Sequence, residues 1–395
     1  MATVDSTIAA GLPLVQSDEE LEIRQAVARI CEPFGHLHRR EITDIDAADA
    51  ALRSALAEHG FLAVNIGEEW GGGGLGITAL TWVVEEIHAA GLFSGTIALG
   101  ASVAGRLIER HGTTEQKDTW LRRLASGEVT IAFGITEPDA GLNTHRLRTE
   151  LRRDGDGYRL KGQKVYTTGA VESDTILVVA RFRGEDGELG LPGLALVDSD
   201  AEGFSADRIQ LAEEWEERTY QTFYDDVYVA PDRLIGGEES GLAALFDGLN
   251  PERICVAAAA LGYTRLALEK ATAYAKERVV WKDPIGAHQA IAHPLAEAQI
   301  EHDLAMLMTQ KAAALCDADA PEAGYASNIA KFAAARAANL ALDRAIQTHG
   351  GNGVTAEYGL TALWWPVRAM KIAPVSEEMI LNNVAQHTLG LPRSY

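Results

Sequence analysis

The spacing of apolar residues divides the chain into three zones. From about residue 17 to 130 they recur at helical spacing, as in the segment 17–34, SDEELEIRQAVARICEPF, which Ser17 is placed to cap. From about 131 to 240 they form short runs rich in β-branched and aromatic residues, separated by Gly, Asp and Pro. From about 241 onward the helical period returns in long alanine-rich segments. The pattern predicts an α+β fold with a helical domain (1–130), a β domain (131–240) and a second helical domain (241–395).

Composition narrows the classes of function. The 395-residue chain has a formal net charge of −22, which argues against nucleic-acid binding because phosphate neutralisation needs clustered Lys and Arg. Its three cysteines lie far apart without a C-x-x-C pair, and its N-terminus lacks the basic and apolar regions of a signal peptide. Charges or Gly interrupt the apolar stretches before they reach membrane-spanning length, and no histidines are paired at metal-ligand spacing. We therefore expect a soluble cytoplasmic protein without a bound metal.

The segment 70–76, WGGGGLG, has the spacing of a dinucleotide-binding loop. Gly71, Gly73 and Gly76 match G-x-G-x-x-G, but no acidic residue follows about 20 residues later to bind a ribose hydroxyl. No alternating strand–helix series follows either. We interpret the segment as a flexible turn between helices.

Two further segments place polar groups at the ends of predicted strands. In 132–144, AFGITEPDAGLNT, Gly and Ala flank a Thr-Glu-Pro corner where backbone N–H groups can approach a ligand closely. The segment 166–169, YTTG, ends another predicted strand with an aromatic ring and two hydroxyls. Together these two strand ends can line one face of a flat ring.

Seven segments follow the order and spacing of one known family: GTTEQKDTWLRRLASGE (112–128), AFGITEPDAG (132–141), LKGQKVYTTGA (160–170), DDVYVAPDRLIG (225–236), ERICVAAAALG (252–262), QTHGGNGV (347–354) and SEEMI (376–380). In these segments the chain resembles the acyl-CoA dehydrogenase family of flavoproteins, over nearly its whole length. The resemblance implies an N-terminal helical domain, a central antiparallel β domain and a C-terminal four-helix bundle. It also implies FAD, held non-covalently where the β and C-terminal domains meet.

The resemblance places the flavin ring against the two strand ends. Tyr166 takes the place of the Trp that packs on the ring, and aromatic packing survives this change with less buried area. Thr168 matches the residue that contacts N5. Leu142 stands where the family often has a Ser that binds substrate or phosphate, so it can contribute only its backbone to cofactor or substrate. The other matched positions of this loop and strand, whose backbone and hydroxyl meet the isoalloxazine, are Phe133, Ile135, Thr136 and Gly141.

In the family the nucleotide half of FAD also contacts a neighbouring subunit. Arg278 matches the diphosphate-binding Arg, a role that suits a planar fork of donors, although a solvated helix charge is the simpler reading of this residue alone. Trp281-Lys282 replaces the Phe-Gly of the family pattern, which changes the predicted adenine environment. Shared sites imply at least a dimer, and the family is usually a tetramer. The remaining matched nucleotide contacts are Gln289, Gln347, Gly350, Gly351, Ser376 and Glu378.

The family reaction removes an α-proton from an acyl thioester, which requires a carboxylate base. Pro374 occupies the position of the usual glutamate, and proline carries no base. Some members carry the base in a Glu-Arg pair on a different helix, which Glu252-Arg253 matches. Asn250 as N-cap and Pro251 at the first position would place Glu252 in a first helical turn, where acids are also common for the helix dipole alone. We predict Glu252 as the base, with Asn250 and Arg253 on the substrate side.

The sequence thus predicts an FAD-dependent acyl-CoA dehydrogenase of fatty acid metabolism. It would form a trans-2-enoyl thioester and pass its electrons to an electron-transfer flavoprotein. Two alternatives stay open: a flavin oxidase or monooxygenase of the same fold, and a catalytically silent flavin-binding homologue, since Pro374 removes the common base. The sequence does not specify the acyl chain or whether its carrier is CoA or an acyl carrier protein.

Overall fold

The computed structural model describes residues 17–35, 42, 44–211, 217–238 and 241–393. The described chain divides into two compact units. The first, here called the helical unit, is drawn from residues 1–43, 77–92 and 253–395, and the second, the sheet unit, from residues 44–76 and 93–252.

Helices fill the first and last zones of the chain, as the apolar spacing predicts. Ser17 accepts a hydrogen bond on its Oγ from the Glu20 N–H at 3.1 Å, which confirms the predicted N-cap. The helices of the first zone are α1 (Asp18–Cys31), α2 (Ile45–Glu58), α3 (Gly76–Ala89), α4 (Gly95–Leu99), α5 (Arg106–His111) and α6 (Thr114–Ala125), with a π-helical turn at Gly100–Gly105. Those of the last zone are α7 (Gly241–Glu277), α8 (Gln289–Asp317), α9 (Ala323–His349), α10 (Trp364–Ala369) and α11 (Glu377–Asn383).

The last zone contains three long helices, α7 to α9, while α10 and α11 have only 6 and 7 residues. The helical character of this zone is confirmed, but its described part does not contain a fourth long helix. Within the described residues, no helix is both long enough and apolar enough to cross a membrane.

Helix α7 begins at Gly241, so the prediction that Asn250 caps it is wrong. Asn250 and Pro251 lie inside the helix. The segment before them is rich in Leu and Ala, whose helical preference outweighs the one N–H that is missing at Pro251. Glu252 therefore lies in the body of a helix, away from the partial positive charge of a helix N-terminus.

The sheet unit is built on one sheet with the strand order β6-β7-β3-β2-β4-β5-β8, and β1 pairs with β4. Most neighbouring strands are antiparallel, but β1 and β2 both run parallel to β4, where they pair with residues 175–178 and 181–183. The predicted β domain is confirmed, and its antiparallel pairing is corrected at these two places, because the chain crosses over between β1 and β2 and returns to the same edge of β4. The strands are β1 (Ile131–Gly134), β2 (Glu150–Asp154), β3 (Gly157–Thr168), β4 (Thr175–Arg183), β5 (Leu189–Asp198), β6 (Phe204–Ile209), β7 (Thr219–Val229) and β8 (Leu234–Ile235).

Both faces of the central strand β4 are buried. Leu177 and Val179 join one apolar cluster, and the alternate residues Ile176 and Val178 join another. This is the period-2 alternation of a strand that is covered on both sides. Strand β4 is therefore held in position by packing on both of its faces.

The glycine-rich segment 70–76 forms a turn that leads into α3, as predicted. The N–H of Gly73 donates to the Ala63 carbonyl at 3.1 Å, and that of Gly74 donates to the Ile66 carbonyl at 2.7 Å. A Cβ atom at Gly72 would lie 2.3 Å from the Ile66 carbonyl oxygen. Glycine is required there for close approach of two backbone segments, rather than for a phosphate.

Candidate functional site

The ends of β1 and β3 lie side by side in the sheet unit. The Val165 N–H donates to the Thr136 carbonyl at 2.9 Å, and Lys164 Nζ donates to the Ile135 carbonyl at 3.0 Å. The two polar strand ends therefore lie together, and their contact with one face of a flat ring stays a prediction. Thr136 and Thr168 are both half-buried, and the Thr168 hydroxyl oxygen lies 3.3 Å from that of Thr219.

Tyr166 projects from an irregularity in β3. The register between β3 and β7 shifts between Lys164 and Thr167, and Tyr166 there has a φ of 59°. Residues other than glycine rarely adopt this left-handed conformation, and they do so mainly where function requires it. The side chain is 66% exposed, so an aromatic ring stands outward beside two threonines. An exposed aromatic ring at a polar strand end fits a planar heterocycle with a hydrogen-bonding edge.

A buried ion pair, Lys164–Glu137, joins these two strand ends. The sequence alone did not identify it as part of the site. Lys164 is 0% exposed and its Nζ lies 2.8 Å from Glu137 Oε1. The Glu137 carboxylate also accepts hydrogen bonds from the backbone N–H groups of Arg148 (2.7 Å) and Thr149 (2.9 Å). Burial lowers the pKa of Lys164 to about 8, against the opposing effect of Glu137. Burial acts to raise the pKa of Glu137, but Lys164 and these hydrogen bonds hold it below its usual value. The sequence signal for this pair was the presence of one charged residue, Glu137 or Lys164, near each of the two polar strand ends.

The other predicted flavin contacts divide by exposure. Phe133 is 7% exposed and its side chain belongs to the core, so only its backbone can reach a ligand. Gly141 and Leu142 lie in the exposed loop that follows β1, with Leu142 48% exposed. A Cβ at Gly141 would meet no atom within 4 Å, so the backbone of this loop is open to a ligand.

In the helical unit, the predicted nucleotide contacts gather where α7 and α9 end. A small hairpin, β9 (Val279–Val280) with β10 (Asp283–Pro284), follows Arg278 and carries Trp281 at its turn, 88% exposed. The Arg278 N–H donates to the Tyr274 carbonyl, and the Tyr274 ring stacks on His349 with centroids 4.3 Å apart. His349 also packs edge-on against the Tyr358 ring, and burial lowers its pKa. The exposed residues that these contacts bring to the same end of the unit are Arg278, Gln347, Gly350 and Gly351, while Gln289 begins α8 just after the hairpin.

Ser376 and Glu378 lie at the start of α11. Ser376 Oγ accepts a hydrogen bond from the Met379 N–H at 3.4 Å and so caps the helix. The helix backbone and the Ser376 hydroxyl hold the pKa of the exposed Glu378 below its usual value. Both residues have a structural role, and their predicted contact with a ribose stays a prediction.

A second buried lysine lies beside the loop that contains Pro374. Lys331, on α9, is 0% exposed and donates from Nζ to the Val375 carbonyl at 2.5 Å. The charge of Arg253 acts on Lys331, and Arg253 is itself 5% exposed and donates to Asn328 Oδ1 at 2.6 Å. Arg253 is therefore a buried side chain beside this loop, not a solvated charge.

Glu252, one residue earlier on the same helix, is half-buried, as is Asn250. The corrected start of α7 removes the helix N-terminus as an explanation for an acid at this position. Among the residues that the structure describes, no cluster of His, Cys, Asp and Glu is suited to hold a metal ion.

Comparison with known proteins identifies one family along most of the chain. Models of the N-terminal, middle and C-terminal domains of acyl-CoA dehydrogenases match residues 17–128, 132–224 and 239–389. The chain is 46% identical over 384 residues to the acyl-CoA dehydrogenase FadE12 of Mycobacterium tuberculosis, covering 96% of this chain and 98% of that one. Among solved structures it is similar to butyryl-CoA dehydrogenase of Megasphaera elsdenii (25% identity, TM-score 0.85, 92% and 96% covered). It is also similar to a glutaryl-CoA dehydrogenase of Mycobacterium smegmatis in complex with FADH2 (25% identity, TM-score 0.86, 97% of both chains covered).

Proposed function

Because the chain belongs to the acyl-CoA dehydrogenase family, we propose that it removes two hydrogens from an acyl-CoA thioester and forms a trans-2-enoyl-CoA. FAD, when bound, accepts the hydride that leaves Cβ. The observation that carries the proposal is the exposed ring of Tyr166 at the end of β3, where that strand also carries Thr168 and meets the backbone of Thr136. These side chains suit a flavin ring better than a phosphate or a metal ion, because they offer an aromatic face and neutral hydrogen-bonding groups.

We propose that the flavin ring lies against Tyr166, with Thr168 at N5 and Thr136 at the polar edge of the ring. The open loop at Gly141 and Leu142 would offer backbone N–H groups to the cofactor or substrate. The Lys164–Glu137 pair supports this arrangement, because Lys164 ties the backbone of Ile135, next to Thr136, to β3. The remaining contacts of the flavin would come from the backbone of Phe133 and Ile135.

We propose Glu252 as the base that takes the α-proton, with Asn250 and Arg253 orienting the substrate. Its position in the body of α7 supports this role, because the side chain is only half-buried and an acid there is not explained by the dipole of a helix N-terminus. Pro374 supports the choice by elimination, since its position in the C-terminal loop supplies no proton acceptor. Arg253 is buried beside that same loop.

For the nucleotide half of FAD we propose Arg278, with its planar donors, at the diphosphate. The exposed glycines at the end of α9 favour close backbone approach to this part of the cofactor, because a Cβ at Gly350 or Gly351 would meet no atom within 4 Å. Trp281, at the tip of its hairpin, would contact the adenine. The other proposed contacts are Gln289, Gln347, Ser376 and Glu378.

We propose that the chain assembles as a homotetramer. An exposed row of apolar side chains on α8 supports this, since Ile300 (59% exposed), Leu304 (58%) and Leu307 (40%) follow one another at one-turn spacing. Trp281 adds a further exposed aromatic ring in the same unit. Sedimentation at micromolar concentration measures the assembly directly.

We further propose three domains with boundaries at 1–130, 131–240 and 241–395, which the ranges of the three matching family models support. The physiological setting that we propose is fatty acid metabolism in the cytoplasm, with an electron-transfer flavoprotein as acceptor. The three cysteines, Cys31, Cys255 and Cys316, are buried and form no disulfide, which suits a reducing compartment.

The test is anaerobic bleaching of the FAD-loaded protein by a panel of straight and branched acyl-CoAs. Wild type should bleach with at least one of them, and Glu252→Gln should bind FAD and acyl-CoA but bleach at least a thousandfold more slowly, because no other group takes the α-proton. Glu269→Gln, an exposed acid on the same helix, is the matched control and should bleach like wild type.

Bleaching of Glu252→Gln at the wild-type rate would show that another group is the base. No bleaching of wild type by any acyl-CoA would contradict the dehydrogenase proposal. Rapid reoxidation of the substrate-reduced wild type by dioxygen would instead identify an oxidase or monooxygenase.

A further inference from the structure

Glu217 is a buried acid that the proposed reaction does not use. It lies in the sheet unit, 6% exposed, two residues before β7 begins. It lines a cavity of about 400 Å³ whose other charged residues are Asp46, Asp49, Arg53 and Glu172. A carboxylate in such surroundings requires compensating hydrogen bonds.

Those hydrogen bonds come from Thr96, in the first turn of α4. The Thr96 N–H donates to both Glu217 oxygens, at 2.8 and 3.0 Å, and the Thr96 hydroxyl donates to Oε1. Arg53 donates to the Thr96 oxygen at 3.0 Å and to Asp49 at 3.1 Å. A side chain at Gly95 would lie 2.7 Å from Glu217 Oε2, so the contact between the carboxylate and the helix is close.

Thr96 in turn packs against the strand end that carries the proposed flavin contact. A Cβ at Gly169 would lie 2.4 Å from the Thr96 methyl, so this methyl lies directly on the backbone of Gly169. On the other side, the Gly169 N–H donates to the Arg218 carbonyl at 2.8 Å, and Thr168 pairs with Thr219 with hydroxyl oxygens 3.3 Å apart. The end of β3 therefore lies between Thr96 and the two residues that follow Glu217.

We propose that Glu217 is a positioning residue that sets the placement of Thr168 against flavin N5, by fixing Thr96 and the start of β7 on two sides of the strand end. This inference rests on the proposed function. Glu217 does not touch the substrate or the ring in this arrangement. It acts through Thr96 and through the backbone that pairs with Thr168 and Gly169.

The contact is sensitive to protonation. Burial raises the pKa of Glu217 to about 7, the charge of Asp49 adds to this, and the hydrogen bonds from Thr96 and the charge of Arg53 oppose it. Asp46, Glu172 and Arg218 also face this region, and Arg218 is paired with both acids. Since protonation removes acceptor capacity from a carboxylate whose hydrogen-bond partners here are donors, the fixing of Thr168 should loosen as the pH falls below about 7.

The test uses the FAD-loaded protein with ¹⁵N-labelled FAD, and follows the N5 resonance and the flavin reduction potential from pH 5.5 to 8.5. Wild type should show an inflection near pH 7, and Glu217→Gln should bind FAD one to one, show a shifted N5 resonance, and lack this inflection. Its flavin reduction by acyl-CoA should slow about tenfold, with KM unchanged. Glu217→Asp should restore the inflection in part. Asp46→Asn, which changes the charge of the same cavity without contacting Thr96, is the matched control and should keep the wild-type resonance.

An N5 resonance and pH profile of Glu217→Gln identical to those of wild type would overturn the inference. Should that variant fail to fold, Thr96→Val decides, because it keeps a methyl against Gly169 and removes the hydroxyl: an unshifted N5 resonance overturns the inference and a shifted one supports it. Wild-type bleaching by acyl-CoA separates the two proposals. A wild type that binds FAD but is reduced by no acyl-CoA refutes the proposed function and leaves the N5 comparison to judge Glu217, whereas a wild type that binds no FAD refutes both.

Discussion

Two buried lysines, one in each unit, are compensated in different ways. Lys164 in the sheet unit and Lys331 in the helical unit are both 0% exposed, and burial lowers the pKa of each to about 8. Lys164 has the Glu137 carboxylate at 2.8 Å, whereas Lys331 donates to the backbone carbonyl of Val375 and is stabilised further by the charge of Glu377. The candidate flavin edge thus rests on a paired charge. In the helical unit, Lys331 is instead compensated by the dipole of a backbone carbonyl, with a contribution from the charge of Glu377.

The largest expected effect is the loss of the paired lysine. Lys164→Met leaves the Glu137 carboxylate buried without its cation, and breaking such a pair costs about 3–5 kcal/mol in the free energy of unfolding. We expect a loss in this range by urea denaturation, together with weaker FAD binding. Lys161→Met, three residues away on the same strand and with a 63% exposed side chain, is the control and should change stability by less than about 0.5 kcal/mol.

The pairing itself can be isolated by adding Glu137→Gln to Lys164→Met. The double variant should be more stable than Lys164→Met alone, since the uncompensated charge is then gone. Equal stability of the single and double variants would mean that Glu137 carries no buried charge.

The second effect, the change in the free energy of unfolding caused by Lys331→Met, is smaller at neutral pH. Lys331→Met leaves the Val375 carbonyl without a donor, which costs about 1–3 kcal/mol, but it also removes the penalty of burying an ammonium group. The pKa of Lys331 is lower in the folded state, about 8, than the 10.5 of an unperturbed lysine. The unfolded chain therefore binds more protons between these values, and the stability contributed by Lys331 rises as the pH rises from about 8 to 10.5.

Urea denaturation of wild type and Lys331→Met at pH 7, 9 and 10.5 measures this trend. The free energy of unfolding of wild type, relative to that of Lys331→Met, should rise with pH by about 3 kcal/mol at most. A difference that stays constant over this range would mean that the amine of Lys331 titrates normally and is not desolvated.

The smallest expected effect concerns the cap beside the same loop. Ser376→Ala removes the hydroxyl that accepts from the Met379 N–H, and loss of such a cap costs about 1 kcal/mol. Thr113→Ala, at the capping box of α6 in the sheet unit, is the matched variant and should lose a similar amount. FAD affinity distinguishes the two roles of Ser376: if it falls for Ser376→Ala but not for Thr113→Ala, Ser376 contacts the nucleotide, and if it is unchanged for both, Ser376 is a cap only.

Local patterns predicted the elements of this fold well, and their limits are informative. The helical period identified α1 and its cap, and the β-type runs identified the strands that the structure places side by side as β1 and β3. The start of α7 was misplaced because Asn250-Pro251 has the form of a helix start, while helix-forming residues precede it. The parallel pairs of β1 and β2 with β4 were missed because alternation within a strand does not specify its neighbours.

The contacts that support the candidate site could not be predicted from the sequence for a different reason. Glu217 and Thr96 are 121 residues apart, and Lys164 and Glu137 are 27 apart. No periodicity connects them, since each pair forms only when separate elements have packed. The family resemblance supplied the residues predicted to face the cofactor, but not the residues that fix them in place.

The unusual backbone of Tyr166 has a consequence for how a ligand is received. A tyrosine in the left-handed region stores roughly 1–3 kcal/mol of conformational free energy, and its ring is already turned outward. A flat ligand that stacks on it therefore meets a preorganised surface and loses little entropy on docking. The folding of the sheet unit, rather than the arrival of the ligand, supplies the free energy that orients this ring.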